Sequence, residues 1–206
     1  MACERSPVQI RYGPQMKKRV FIIHGWDGYP EEGWFPWLKK ELTKRGFAVE
    51  VPRMPKASEP TIGRWVSYLK KLVEQADENT YFVGHSIGCQ TIIRYLASLT
   101  RDTEIGGGVF VAGWFTLMNQ TEEEKRIAKP WFKTSINFKK AKRHTKKFLA
   151  IFSDNDDVVP LNNKIIFRKK LGTKTITQHN KGHFSGGDGI KKLPAALEAI
   201  LKMSKN

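Results

Sequence analysis

Five residues near the middle of the chain, Gly84-His85-Ser86-Ile87-Gly88, fit the pattern G-x-S-x-G. An apolar run, Tyr81-Phe82-Val83, precedes them, and an amphipathic stretch from Ile87 to Leu99 follows. Strand, sharp turn and helix in that order make a nucleophile elbow, which exposes a serine hydroxyl at the turn. The flanking residues must be glycines because a larger side chain would collide where strand and helix pack closely. Ser86 then sits at a helix N-terminus, where the backbone dipole favours developing negative charge. The chemistry this serves is attack of the hydroxyl on a carbonyl carbon. A lone serine is a weak nucleophile, so it needs a base held in place by a third group.

Two later segments offer those groups in the order serine, acid, histidine. Ser153-Asp154-Asn155-Asp156-Asp157 follows one apolar run, and Gly182-His183-Phe184 follows another. Asp154, Asp156 and Asp157 all compete for the role of acid, and Asp157 could instead cap the next helix. His183 competes with His179. That pair is spaced H-x₃-H, but without thiolates nearby it is not expected to bind zinc. His24, His85 and His144 read as structural or surface histidines. An oxyanion hole is also required. One donor is expected from the backbone N–H of Ile87, directly after the serine, and the other from Trp26 N–H in the turn His24-Gly25-Trp26-Asp27-Gly28.

Those segments need a scaffold that gathers them. Arg19 to His24 is a β-branched and aromatic run suited to a strand buried on both faces. Further strands are expected at Phe47–Val51, Tyr81–Gly84, Ile105–Ala112, Lys147–Phe152 and Lys174–Gln178. Helices are expected at Trp34–Arg45, Pro60–Ala76, Ile87–Leu99, Pro160–Leu171 and Leu193–Met203. This alternation predicts βαβ units, a doubly wound six-stranded parallel sheet and helices on both of its faces. In such sheets the active groups collect beyond the carboxyl ends of the strands, and every candidate above lies there. The long connection 113–145 is the one candidate insertion. Its Trp114, Phe115 and Trp131 either form a short cap with an apolar substrate pocket or simply pack on the sheet edge.

The stretches HGWDGYPEEGWFPWL, VGHSIGCQTIIRYL, SDNDDVVP and KGHF together resemble the small serine hydrolases of the YdeN type, a group that retinoblastoma-binding protein nine also resembles. The resemblance runs from about Lys18 to the end, and Trp34 to Leu38 is its most specific marker. It implies a minimal α/β-hydrolase fold, with Ser86 as nucleophile, His183 as base and Asp156 as acid. It also implies hydrolysis of small esters or amides through an acyl-enzyme, without cofactor or metal. A strong basic charge is not a hallmark of the group. Two other readings remain: a non-catalytic interaction protein on the same scaffold, and a basic protein associated with nucleic acid.

The chain has 206 residues, 36 Lys and Arg against 20 Asp and Glu, and a formal net charge of +16. Forty per cent hydrophobic residues suffice for one sizeable core, so residues 18–206 are expected to form a single domain. Two cysteines, Cys3 and Cys89, cannot build a disulfide framework, and a reducing, cytoplasmic setting is expected. Cys89 reads as a buried small hydrophobe. No apolar run approaches the ~18 residues that span a bilayer. Residues 1–17 carry no periodicity and read as a disordered or spurious extension, with Met16 as an alternative start. Ten Lys and Arg lie between Lys125 and Lys147 without one Asp or Glu. Lacking a nucleic-acid motif, this run reads as a solvated face, and a monomer without nucleic-acid partner is expected.

Overall fold

The computed structural model describes residues 17–205. The N-terminal extension and its possible start at Met16 lie outside the described residues, as does Cys3. Thirteen elements follow in order: β1 (Arg19–Ile23), α1 (Phe35–Thr43), β2 (Ala48–Glu50), α2 (Ile62–Val73), β3 (Thr80–His85), α3 (Ile87–Ser98), β4 (Gly107–Val111), α4 (Glu122–Lys133), α5 (Phe138–Ala141), β5 (Phe148–Ser153), α6 (Asn163–Leu171), β6 (Lys174–Gln178) and α7 (Pro194–Met203). The six strands form one sheet in the order β2-β1-β3-β4-β5-β6, and every pairing is parallel.

The alternation of side chains along the strands explains the two cores. Val20 and Ile22 of β1, Val83 of β3 and Val109 and Val111 of β4 face one side, against Leu38 and Leu42 of α1 and Ile200 of α7. Phe21, Ile23, Phe82 and Phe110 face the other, against Trp65 and Leu69 of α2, Ile92 and Leu96 of α3 and Phe167 of α6. With helices on both faces, β1, β3 and β4 are apolar almost throughout, as a doubly covered parallel strand must be. The edge strand β6 is only half buried along its length.

The 113–145 connection contains two helices absent from the sequence-based expectation, α4 and α5. Helix α4 opens with a capping box: Thr121 Oγ1 accepts from Glu124 N–H, and Glu124 reaches back to Thr121 N–H. The sequence signal was Thr-x-x-Glu at 121–124. Pro130 inside the helix and the lysine-rich surroundings obscure it. Helix α5 packs against α3 and α6. Among the described residues, no helix is long and apolar enough to cross a membrane.

Candidate active site

The elbow is built by steric necessity. Ser86 has φ +52° and ψ −122°, a backbone conformation that costs energy for any side-chain-bearing residue. Its N–H is tied to Val111 O at 2.9 Å, which fixes the turn to β4. A Cβ on Gly84 would lie 2.8 Å from Cys89 N and 2.9 Å from Cys89 Cα. A Cβ on Gly88 would overlap Ile23 O and lie 2.7 Å from His24 O. Both glycines are therefore set by backbone atoms that cannot move aside. Cys89 is fully buried, its Sγ 3.2 Å from Gly84 O, and burial pushes its thiol well above the usual range. It is a packing residue.

The two histidine candidates have different surroundings. His183 Nδ1 donates to Asp156 Oδ2 at 2.9 Å, with Oδ1 at 3.2 Å. Asp156 is buried, and its Oδ1 also accepts the N–H groups of Val158 and Val159 at 2.9 and 2.8 Å. A carboxylate held by three donors has one orientation, and it fixes the imidazole with Nε2 turned away. His179 instead bonds Asp154 on an exposed surface. The Asn180 N–H and the His179 ring hold Asp154 below its ordinary carboxylate value. Asp157 offers its backbone carbonyl to Asn119 Nδ2.

Two buried histidines set the loops around this pair. His24 Nδ1 donates to Gly25 O at 2.8 Å, and its Nε2 accepts Met54 N–H at 2.9 Å, which clamps the turn after β1. His85 Nε2 donates to His183 O at 2.7 Å. Trp34 Nε1 donates to Phe184 O at 3.0 Å, so the start of α1 holds the His183 loop from the other side. That is the structural content of the Trp34-to-Leu38 marker. His144 is buried against Thr103 O, far down the chain from the elbow.

Burial drives the His85 pKa down to about 3 from 6.5, with the neighbouring His183 charge as a secondary cause. The unfolded chain therefore takes up a proton near pH 6.5 that the folded protein refuses until about pH 3. Stability contributed by neutral His85 is complete above pH 6.5 and declines steadily as the pH falls towards 3. His24, also lowered chiefly by burial, adds to the same slope. Urea unfolding of wild type and His85→Gln between about pH 7 and 4 checks this. The variant should show the shallower decline, and parallel profiles would refute it.

Ser86 and His183 both line one cleft of about 560 Å³ at the carboxyl ends of the strands. Trp26 and Trp114 line it too. Trp26 is held by its indole, which donates to Ser58 O at 2.9 Å. Ile87 is the first residue of α3, and its N–H therefore belongs to the helical turn that has no intrahelical acceptor. Phe115 and Trp131 lie elsewhere. Phe115 packs on Phe138 and Phe167 at ring separations of 5.3 and 4.9 Å. Trp131 is buried with its indole on Pro60 O at 3.0 Å. Besides Trp114, the connection lines the cleft with Leu117 to Thr121 and with Glu123, Glu124 and Ile127 of α4. Asp27 and Glu32 also line the cleft and carry no motif in the sequence. Their only signal is proximity to the turn after β1.

A sequence model of the serine hydrolase family matches residues 20–202. The chain belongs to that family. This serine hydrolase is 28% identical over 185 residues to the YdeN protein of Bacillus subtilis (strain 168), covering 90% of this chain and 95% of YdeN. Its structure matches the crystal structure of the B. subtilis ydeN gene product with a TM-score of 0.84 at 27% identity, over 92% of this chain and 100% of the other. Est1E from Butyrivibrio proteoclasticus, solved with ferulic acid bound, matches with a TM-score of 0.70 at 17% identity, over 94% and 92% of the two chains. That second likeness speaks to the fold. The chain is a YdeN-type serine hydrolase with a minimal α/β-hydrolase fold.

Proposed function

We propose that the enzyme hydrolyses small esters or amides through an acyl-enzyme on Ser86, with His183 as base and Asp156 as the group that orients it. The observation that carries this reading is the buried Asp156 carboxylate bonded to His183 Nδ1, with Ser86 on its strained elbow in the same cleft. In the first half-reaction Ser86 Oγ bonds to the acyl carbon, and its proton passes to His183 Nε2. The bond to the leaving group breaks, and that proton leaves with the alcohol or amine. Water then attacks the acyl carbon, giving its proton to His183, and Ser86 recovers a proton as the acid departs. The oxyanion of each tetrahedral intermediate rests on the N–H groups of Ile87 and Trp26. Each such donor is worth about 10²–10³ in rate.

Labelling with a fluorophosphonate tests the reading, because the reagent needs an activated serine. Wild type should label, and Ser86→Ala and His183→Ala should not. Equal labelling of all three, or a folded wild type that stays unlabelled, would overturn it.

A further inference from the structure

One buried charge takes no part in the chemistry at Ser86. Arg94 lies on α3 and is only 8% exposed. Among the described residues no carboxylate stands within ion-pair distance of it. Burial lowers its pKa to about 10, so it stays charged at neutral pH. A buried cation without an anion is destabilising unless other polar groups take the anion's place. Here three oxygens surround Arg94 Nη2: Gln90 Oε1 at 3.2 Å, Trp131 O at 2.9 Å and Thr134 O at 2.8 Å. Trp131 is in the last turn of α4, and Thr134 is its C-cap. Carbonyls at that end lack intrahelical donors and carry the negative end of the helix dipole. The guanidinium is thus the counter-charge of α4. It also lies over the Trp131 ring, 5.7 Å from the centroid.

Gln90, one turn nearer the nucleophile, holds the other end of the same connection. It is fully buried, and its Nε2 donates to Trp114 O at 3.0 Å. Ser86 at the N-cap, Gln90 and Arg94 follow at intervals of four, so they share one face of α3. That row ties both stems of the connection, Trp114 at one end and Trp131 with Thr134 at the other, to the helix that presents Ser86. Helix α4 is otherwise thinly packed, with only Ala128 and Trp131 of its twelve residues buried. The Trp131 indole on Pro60 O fastens one flank, and the Arg126–Glu59 pair is exposed. Yet α4 supplies Glu123, Glu124 and Ile127 to the cleft.

We propose, resting on the hydrolytic reading above, that Arg94 is a positioning residue: with Gln90 it holds α4 in place as a wall of the cleft, and substrate binding depends on it. The guanidinium touches none of the reacting groups. Its loss would free α4 from α3 and leave Ser86, His183 and Asp156 with the contacts they have now. A displaced wall weakens binding of ground state and transition state alike, so the effect falls on KM rather than on kcat.

Arg94→Met keeps the length of the side chain and removes its donors. With p-nitrophenyl hexanoate it should raise KM about tenfold and leave kcat within about threefold of wild type. Hydrogen exchange gives a readout that needs no turnover. The amides of α4 should exchange at least about tenfold faster in the variant, and those of β3 and β4 at the wild-type rate. Arg94→Lys retains the charge but has one nitrogen in place of the fork. It should fall between wild type and Arg94→Met in both readouts, and it carries the test if Arg94→Met does not fold. Wild-type KM together with wild-type α4 exchange in a folded variant overturns the proposal. So does a fall in kcat accompanied by faster exchange across the whole sheet, which is the mark of general loosening. If wild type does not hydrolyse the ester, the hydrolytic reading fails, and exchange alone decides whether Arg94 holds α4.

Discussion

Asp156→Asn is expected to lower kcat by about 10³–10⁴ while leaving the fold in place. The side chain is nearly isosteric, so the buried site keeps its volume. Asn Oδ1 can still accept the Val158 and Val159 N–H groups that Asp156 Oδ1 receives now. Its Nδ2 must then face His183, where a carboxylate oxygen stands 2.9 Å away in the wild type. An amide N–H can pair only with a bare Nδ1, which forces the imidazole proton onto Nε2. A ring protonated at Nε2 cannot take the proton from Ser86. The variant also lacks the negative charge that stabilises the imidazolium. Turnover of a p-nitrophenyl ester, measured beside the melting temperature, checks this. A folded variant within about tenfold of wild-type kcat would show that Asp156 has no part in orienting the base.

The second large effect falls on stability. Gly88→Ala places a methyl group against the carbonyl oxygens of Ile23 and His24, both backbone atoms of β1 and its following turn. Neither can rotate away, so α3 or β1 must shift within the best-buried part of the sheet. Ala is favoured over Gly inside a helix by about 1 kcal/mol, but the overlap outweighs that. A net loss of about 3 kcal/mol or more is expected, a fall of roughly 6–12 °C in melting temperature for a domain of this size. Gly63→Ala is the matched control. It lies in α2, and nothing stands within 4 Å of its Cβ position. It should raise stability by about 0.5 kcal/mol. Equal melting temperatures for the two variants would show that the elbow is not packed as described.

The parts of the fold that were legible in the sequence are those where one physical constraint dominates. β1, β3 and β4 are covered on both faces, and their unbroken apolar runs say so. The elbow is legible because two glycines flank a serine between strand and helix, and steric contact with Cys89, Ile23 and His24 demands both. What stayed hidden depends on packing. Phe115 and Trp131 have the composition of pocket residues, but aromatic side chains line cores and clefts alike, and here both join the core side. The choice between Asp154 and Asp156, or between His179 and His183, cannot be read from spacing. Each acid sits beside one histidine, and only burial separates the inner pair from the exposed one. Glu32 was illegible for a similar reason, since its place beside Gly186 joins segments 154 residues apart.

The order of strands across the sheet also has a consequence for assembly. After β2 is laid on one side of β1, every later strand is added on the other side in the order of synthesis: β3, then β4, β5 and β6. A chain growing from its N-terminus can thus extend the sheet one strand at a time. Each newly exposed edge is closed by the next strand to be made, which limits the time an apolar edge stands open to another chain. The elbow is complete once β4 is in place, because Ser86 N–H needs Val111 O. The imidazole of His183 arrives only after the last strand, and its loop is held by an indole made 150 residues earlier. Nascent chains therefore carry Ser86 long before they carry His183.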